Sequence, residues 1–371
     1  MRAAITRRKL LAWPLLAAAP RLRAAAAGVP ALQRGANLSH WFEYECNLGP
    51  SAQELHGLAL AGLDHVRVPV DPLLLGWQPQ QARPTIDVTG LRAAVQGVVQ
   101  AGLDVVVDLH LLDATKKLIE AERGLEPHLA ALWSQLAAAL ADLPAERVAF
   151  ELYNEPQYYG LKAMAWPALL RRLLAAVRAK APHHLVLLAG NQGGSFEGLV
   201  DLPLTDDERV AYTVHFYEPF FFTHQGVPWL DPQHTAAGAW AATRYPAAMV
   251  ALAPPRRVRE HPRGEAELAR YRSEDWNAGR IEDSLRGVGR WARRNQVRVL
   301  CNEFGVFRDG VDAHSRYRWL GDVRLALQQH GLGWTVWDFA HHFGIARSAA
   351  PGAPRVLEAG ALRALGLKVR A

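Results

Sequence analysis

Residues 148–156 read VAFELYNEP. The run climbs through mostly apolar positions and then delivers Tyr153, Asn154, Glu155 and Pro156 together. A continuous apolar run, unlike an alternating one, marks a parallel strand covered on both faces. Proline disfavours the helical region for the residue before it, so Glu155 is expected to be extended, with its carboxyl projecting off the strand end.

Seven further runs of the same kind flank this one: GANLS (35–39), HVRVPV (65–70), DVVVDLH (104–110), LVLLAGN (185–191), VAYTVHFYEP (210–219), VRVLCNEFG (297–305) and GWTVWDFA (333–340). Segments with apolar residues at helical spacing lie between them, at 128–143, 166–182, 282–296 and 315–331. The segment 51–63 opens on a Ser51-x-x-Glu54 capping box and stops near Gly62. Eight strands alternating with helices predict a single-domain α/β fold, the (β/α)8 barrel, over residues 28–371. An open doubly wound sheet would place a glycine-rich phosphate turn after an early strand, and HWFEYECNLGP (40–50) has none. The long interval between the sixth and seventh runs, with FTHQGVPWL (222–230) and APPRRVREHPRGE (253–265), reads as an excursion over the barrel mouth.

Residues 1–27 form a separate unit. Arg2, Arg7, Arg8 and Lys9 precede an apolar stretch and an alanine-rich exit, the order of an export signal too short to span a bilayer. TRRKLL (6–11) resembles a twin-arginine signal. A periplasmic or secreted protein is expected, without a membrane span. The whole chain has 42 basic and 36 acidic residues, and residues 1–27 hold six of the basic ones and no acid. The remainder is therefore balanced, so the basic excess of the whole chain says nothing for a nucleic-acid partner, and none is expected. The two cysteines, Cys46 and Cys301, make no disulfide framework and are expected to be reduced.

In such a barrel the C-terminal ends of the strands converge on one face, where reactive groups act. Arg67, His110, Asn154, Glu155, His215, Tyr217, Glu303 and Trp337 all fall at or near those ends. Singly each has a plain structural account: Arg67 paired with Asp71, His110 satisfied in the core, Trp337 filling the barrel. Jointly they bring two carboxyls, Glu155 and Glu303, toward one mouth, and opposed carboxyls are the equipment of glycoside hydrolysis. Arg67 and Tyr217 are expected to hold Glu303 ionised. Its charge is expected to raise the proton affinity of Glu155 and so keep that group an acid. Trp41, Trp77, Trp229 and Trp240 are candidates for stacking on sugar rings, Trp41 foremost. His341 and His342 lack a third ligand at metal-binding spacing, so no metal or cofactor is expected.

The set Arg67, His110, Asn154-Glu155-Pro156, His215-x-Tyr217, Glu303 and Trp337 resembles glycoside hydrolase family 5, the cellulase family, from RGANLSHWFE (34–43) through WDFAHHFG (337–344). The resemblance implies a retaining (β/α)8 enzyme, with Glu155 as acid/base, Glu303 as nucleophile and the other six residues positioning sugar or carboxylates. FTHQG resembles the element of bacterial members acting on β-1,4-glucans, so an endo-β-1,4-glucanase working as a monomer on a β-glucan chain is expected. Action on β-mannan or β-1,3-glucan is the alternative, and a non-catalytic carbohydrate-binding barrel is the rival from another class. LLDATKK (111–117) and Cys301-Asn302 depart from the commonest family pattern.

Overall fold

Eight short parallel strands close on themselves in chain order: β1 (Arg34–Asn37), β2 (His65–Val70), β3 (Asp104–Leu109), β4 (Val148–Glu151), β5 (Leu185–Ala189), β6 (Val210–His215), β7 (Val299–Phe304) and β8 (Gly333–Val336). Gly35 of β1 lies opposite His65 of β2 on one side and Thr335 of β8 on the other, which completes the ring. The structure is a computed structural model describing residues 28–44, 48–231, 233–239, 243–249, 256–350 and 353–369. The segment 1–27, Cys46 and Trp240 lie outside the described residues.

All eight expected strands are present, but β4 stops at Glu151, four residues before Glu155. The helices α1 (Ala52–Ala61), α2 (Thr89–Gln100), α3 (Asp113–Ala121), α4 (Glu126–Leu140) and α5 (Trp166–Arg178) follow the early strands, and the helices Ala278–Asn295 and Ala313–Gln329 flank β7. Ser51 and Glu54 make the expected capping box, each side chain bonded to the other's backbone N–H. Gly62 ends α1 at φ 101°, a left-handed conformation that favours glycine. Unanticipated were α2, whose first residue follows Val88 without a side-chain cap, α3, and a small hairpin, β9 (Ala346–Ser348) and β10 (Arg355–Leu357).

The strands are buried on both faces, but the two faces differ. Outward residues such as Val105, Val107 and Leu109 of β3 pack on the helices. Inward residues change character along the barrel axis. Val106, Ala149, Leu185, Leu187, Ala211 and Leu300 form an apolar floor with Leu32. Two residues further along the same strands, and so on the same face, stand Asp108, Glu151 and Thr213, all fully buried. A polar layer thus sits above the floor and beneath the mouth.

The excursion between β6 and β7 carries no strand among the described residues. Its segments at 218–235 and 263–274, the latter largely the helix Gly264–Ser273, wall one side of the mouth, as expected.

Candidate functional site

Arg67 organises the polar layer. It lies on the inward face of β2, fully buried. Its Nε and Nη2 donate to the two oxygens of Glu151 at 2.7 and 3.0 Å. Nη1 donates to Asn37 at 2.9 Å and to Glu303 Oε1 at 2.6 Å. Nη2 also meets Asn154 Oδ1 at 2.8 Å and Asp108 Oδ2 at 2.9 Å. Every N–H of the guanidinium fork therefore has an acceptor, which a buried cation requires. Asp71 instead accepts from the backbone N–H of Leu73, so the plain Arg67–Asp71 pairing does not occur.

Glu303 reaches this cluster through an irregularity of its strand. Cys301 and Phe304 of β7 pack outward, while Asn302 donates to Glu151 and Glu303 accepts from Arg67. Two consecutive residues therefore face inward. The pairing register of β7 shifts against both β6 and β8 at this point, the signature of a bulge that re-aims a side chain. Tyr217 Oη donates to the second Glu303 oxygen at 3.0 Å. Both Glu303 oxygens are thus held by donors. Cys301, turned away, is buried in apolar surroundings that push its thiol pKa up.

Glu155 arrives differently from expectation. Its φ is +44°, left-handed rather than extended. Three residues, Leu152, Tyr153 and Asn154, separate it from β4, and the turn at Glu155 itself brings its carboxyl over the mouth; the preference imposed by Pro156 is overridden. His215, the last residue of β6, meets Glu155 Oε1 at 2.8 Å and Glu303 Oε2 at 3.4 Å through Nδ1. One oxygen of each glutamate and a ring nitrogen of His215 all lie within 4.8 Å of one another.

The electrostatics also depart from expectation. Burial opposes ionisation of Glu155, yet the hydrogen bond and charge of His215 prevail and bring its pKa down to about 2. His215 moves the other way: burial disfavours its charge, but Glu303 and Glu155 raise it above the usual imidazole value. The pair is thereby biased toward an imidazolium facing a carboxylate, and the negative charge of Glu303 favours charge on His215.

His110 and Asn154 complete the layer. Burial lowers the pKa of His110 and so disfavours its charged form. Its Nδ1 faces Asp108 Oδ2 at 2.8 Å, and its Nε2 faces Asn154 Nδ2 at 3.1 Å. This chain ties Asn154 to both His110 and Arg67. Burial pushes Asp108 up to about 7 against the pull of Arg67. Trp337 does not fill the barrel: half-buried, it lies near-parallel to His110, with ring centroids 5.9 Å apart, and lines the mouth.

These groups open into a cleft of about 1380 Å³, whose far wall includes Trp229, Leu230 and Phe343. Trp229 is 60% exposed, placed to meet a ring. Trp77 is buried in the core instead. Trp41, the foremost stacking candidate, faces a separate hollow with Phe42, Leu55 and Leu74 on the flank of the barrel, because its ring packs over Gly49. His341 stacks on His40 and His342 bonds to Asp309, so the two histidines do not converge.

Asn37, Asp108, Glu151 and Asn302 were not singled out from the sequence. Asn37, Asp108 and Glu151 are each a polar residue flanked by apolar ones in a strand run, and Asn302 is the polar neighbour of Glu303, which is the signal that marks them.

Comparison with known proteins gives a consistent result. The family profile described as Cellulase (glycosyl hydrolase family 5) matches residues 24–342. Endoglucanase 3 of Fibrobacter succinogenes is 25% identical over 339 residues, covering 85% of this chain and 50% of that protein. The chain thus spans half the length of that relative. Endoglucanase C of Acetivibrio thermocellus is 25% identical over 300 residues, covering 77% of this chain and 83% of the relative. Among solved structures, a hyperthermophilic endo-β-1,4-glucanase in complex with substrate shares the fold, with a TM-score of 0.74 at 23% identity over 90% of this chain and 97% of that one.

Proposed function

The chain belongs to the cellulase family, glycosyl hydrolase family 5, and on that premise we propose that it is a retaining endo-β-1,4-glucanase with Glu303 as nucleophile and Glu155 as acid/base. The observation that carries this reading is the approach of the two carboxylates to within 4.8 Å, oxygen to oxygen. Retaining enzymes hold their carboxyls about 5–5.5 Å apart, whereas inverting ones need about 6.5–9.5 Å to admit a water between them.

The assignment of roles follows from how each carboxylate is held. Glu303 has both oxygens bound by donors and a buried guanidinium at 2.6 Å, which favours a fixed, ionised nucleophile. Glu155 lies at the mouth and shares a proton with His215 across 2.8 Å, as a group that must give up and regain a proton requires. In the first step a Glu303 oxygen bonds to the anomeric carbon as the glycosidic C–O bond breaks, and the leaving oxygen takes a proton from Glu155 as His215 passes the pair's proton to that carboxylate across their 2.8 Å contact. In the second, the Glu155 carboxylate takes a proton from water, whose oxygen displaces Glu303. Two inversions give net retention. The first step spends the pair's one proton, and once Glu303 is esterified its charge no longer favours an imidazolium, so His215 is left neutral and Glu155 is left as the carboxylate that acts as base.

A cleft of about 1380 Å³ that takes in both carboxylates, with Trp229 and Trp337 on its walls, has room for several sugar rings of an extended chain and suits internal cleavage. The relatives named endoglucanases support β-1,4-glucan as the chain. The basic, apolar and alanine-rich order of residues 1–27 supports export.

Hydrolysis of carboxymethylcellulose, glucomannan, lichenan and laminarin in parallel, followed by anomer-resolved analysis on cello-oligosaccharides, tests this. Dominant cleavage of carboxymethylcellulose with the β-anomer first formed is expected. Dominant mannan cleavage overturns the substrate, first release of the α-anomer overturns the mechanism, and no release from any polymer overturns the enzyme.

A further inference from the structure

The segment LLDATKK, which departs from the commonest family pattern, folds into the start of α3 and places Lys116 on the wall of the cleft. Lys116 is 3% exposed. Among the described residues its ammonium makes no hydrogen bond and no ion pair, unlike Arg67, whose every N–H is taken. The stem is buried, but the ammonium is not among the buried polar atoms that lack a partner, so it keeps an open side, and the cleft whose wall Lys116 lines is where a ligand can meet it.

The field around Lys116 narrows the chemistry of that acceptor. Its charge interacts with the carboxyls of Asp108, Glu120 and Glu155, and the cleft wall beside it carries Asp113 as well. A substrate anion entering here would meet Glu155 and Asp113 before it gained Lys116. Neutral hydroxyl groups meet no such repulsion and accept from an ammonium readily.

We propose that Lys116 is a specificity-determining residue that donates hydrogen bonds to ring hydroxyls of the glycan beside Glu155, the observation that assigns it being an ammonium without a protein acceptor, carried on a buried stem, on the wall of the same cleft as the acid/base. This rests on the reading of the site as a β-glucanase. The hydrogen bond forms in the bound substrate and persists through the reaction, so it contributes to binding more than to the chemical step.

Steady-state kinetics of wild type and Lys116→Met on cellotetraose test it, with thermal unfolding of both as the folding control. Met keeps the length and burial of the side chain without the donor. We expect KM to rise about ten- to a hundredfold with kcat within about threefold of wild type, and unfolding at no lower temperature. Lys116→Arg, which keeps the charge but replaces the point donor with a fork, serves as the second variant and is expected to raise KM by less. An unchanged KM in both variants overturns the proposal, including the case where only the pH limbs move, which would make Lys116 a purely electrostatic neighbour of Glu155. A wild-type protein that cleaves no β-glycan removes the underlying β-glucanase reading instead, a result distinct from an active enzyme indifferent to Lys116.

Discussion

At the scale of single residues, two glutamates of one barrel mouth are given opposite circumstances. Glu303 is clamped by Arg67 and Tyr217, while Glu155 stands at the loop end with His215. Glu303→Gln removes the proposed nucleophile while leaving a neutral group of the same shape. It should lower kcat by at least about a thousandfold while oligosaccharide binding by calorimetry persists; full turnover in this variant would reassign the nucleophile. The Glu155–His215 pair also sets a pH window. Glu155 is depressed from 4.5 to about 2, so its contribution to stability is present above 4.5 and is lost as pH falls through the folded value. His215 is raised above 6.5, so its contribution is complete below 6.5 and is lost as pH rises through its folded value. Between 4.5 and 6.5 the pair keeps its one proton, which is the form able to protonate a leaving group. The alkaline limb of kcat/KM on cellotetraose should therefore lie above pH 6.5 and report the pair, not Glu155 alone. A limb near pH 5 would mean that His215 does not store the proton.

At the scale of elements, the clearest local device is the start of α1. Ser51 accepts from the N–H of Glu54, and Glu54 accepts in return from the N–H of Ser51 at 2.7 Å. The same Glu54 carboxylate takes three bonds from Arg355 of β10, one from its backbone and two from its guanidinium, so a helix cap also pins the C-terminal hairpin to the barrel. Ser51→Ala should cost about 1 kcal/mol in urea unfolding, and Glu54→Ala should cost more because it frees Arg355 as well. Equal losses would show that the link to the hairpin contributes nothing. Element β7 shows the opposite kind of rule. Its bulge breaks strict alternation, and without it Asn302 and Glu303 would face opposite sides of the sheet.

For the whole molecule, the layering inside the barrel decides where chemistry is possible. The apolar floor seals one end, so the charged layer of Arg67, Asp108 and Glu151 opens only toward the cleft. Leu300 is a fully buried member of that floor. Leu300→Ala should lower unfolding free energy by about 2–5 kcal/mol and leave KM unchanged, because the floor supports the polar layer without touching substrate. A large KM change at unaltered stability would show that the two layers are not separable.

What the amino-acid order determined by itself was the succession of apolar runs and helical periods, and hence the closed barrel, because burial on both faces forces continuous apolar strands that are legible one at a time. It also placed Arg67, His110, Asn154, Glu155, His215, Tyr217, Glu303 and Trp337 near one end of those strands, and the structure gathers all eight around one cleft. Only the tertiary structure decided the left-handed turn at Glu155, the bulge that turns Glu303 inward, the bias of the shared proton toward His215 and the departure of Trp41 to another face. The arrangement around the two glutamates depends on contacts between residues far apart in the chain, such as Glu155 with His215 or Arg67 with Glu303. A local pattern records which side chains a strand offers, and the closing of the ring determines which of them meet.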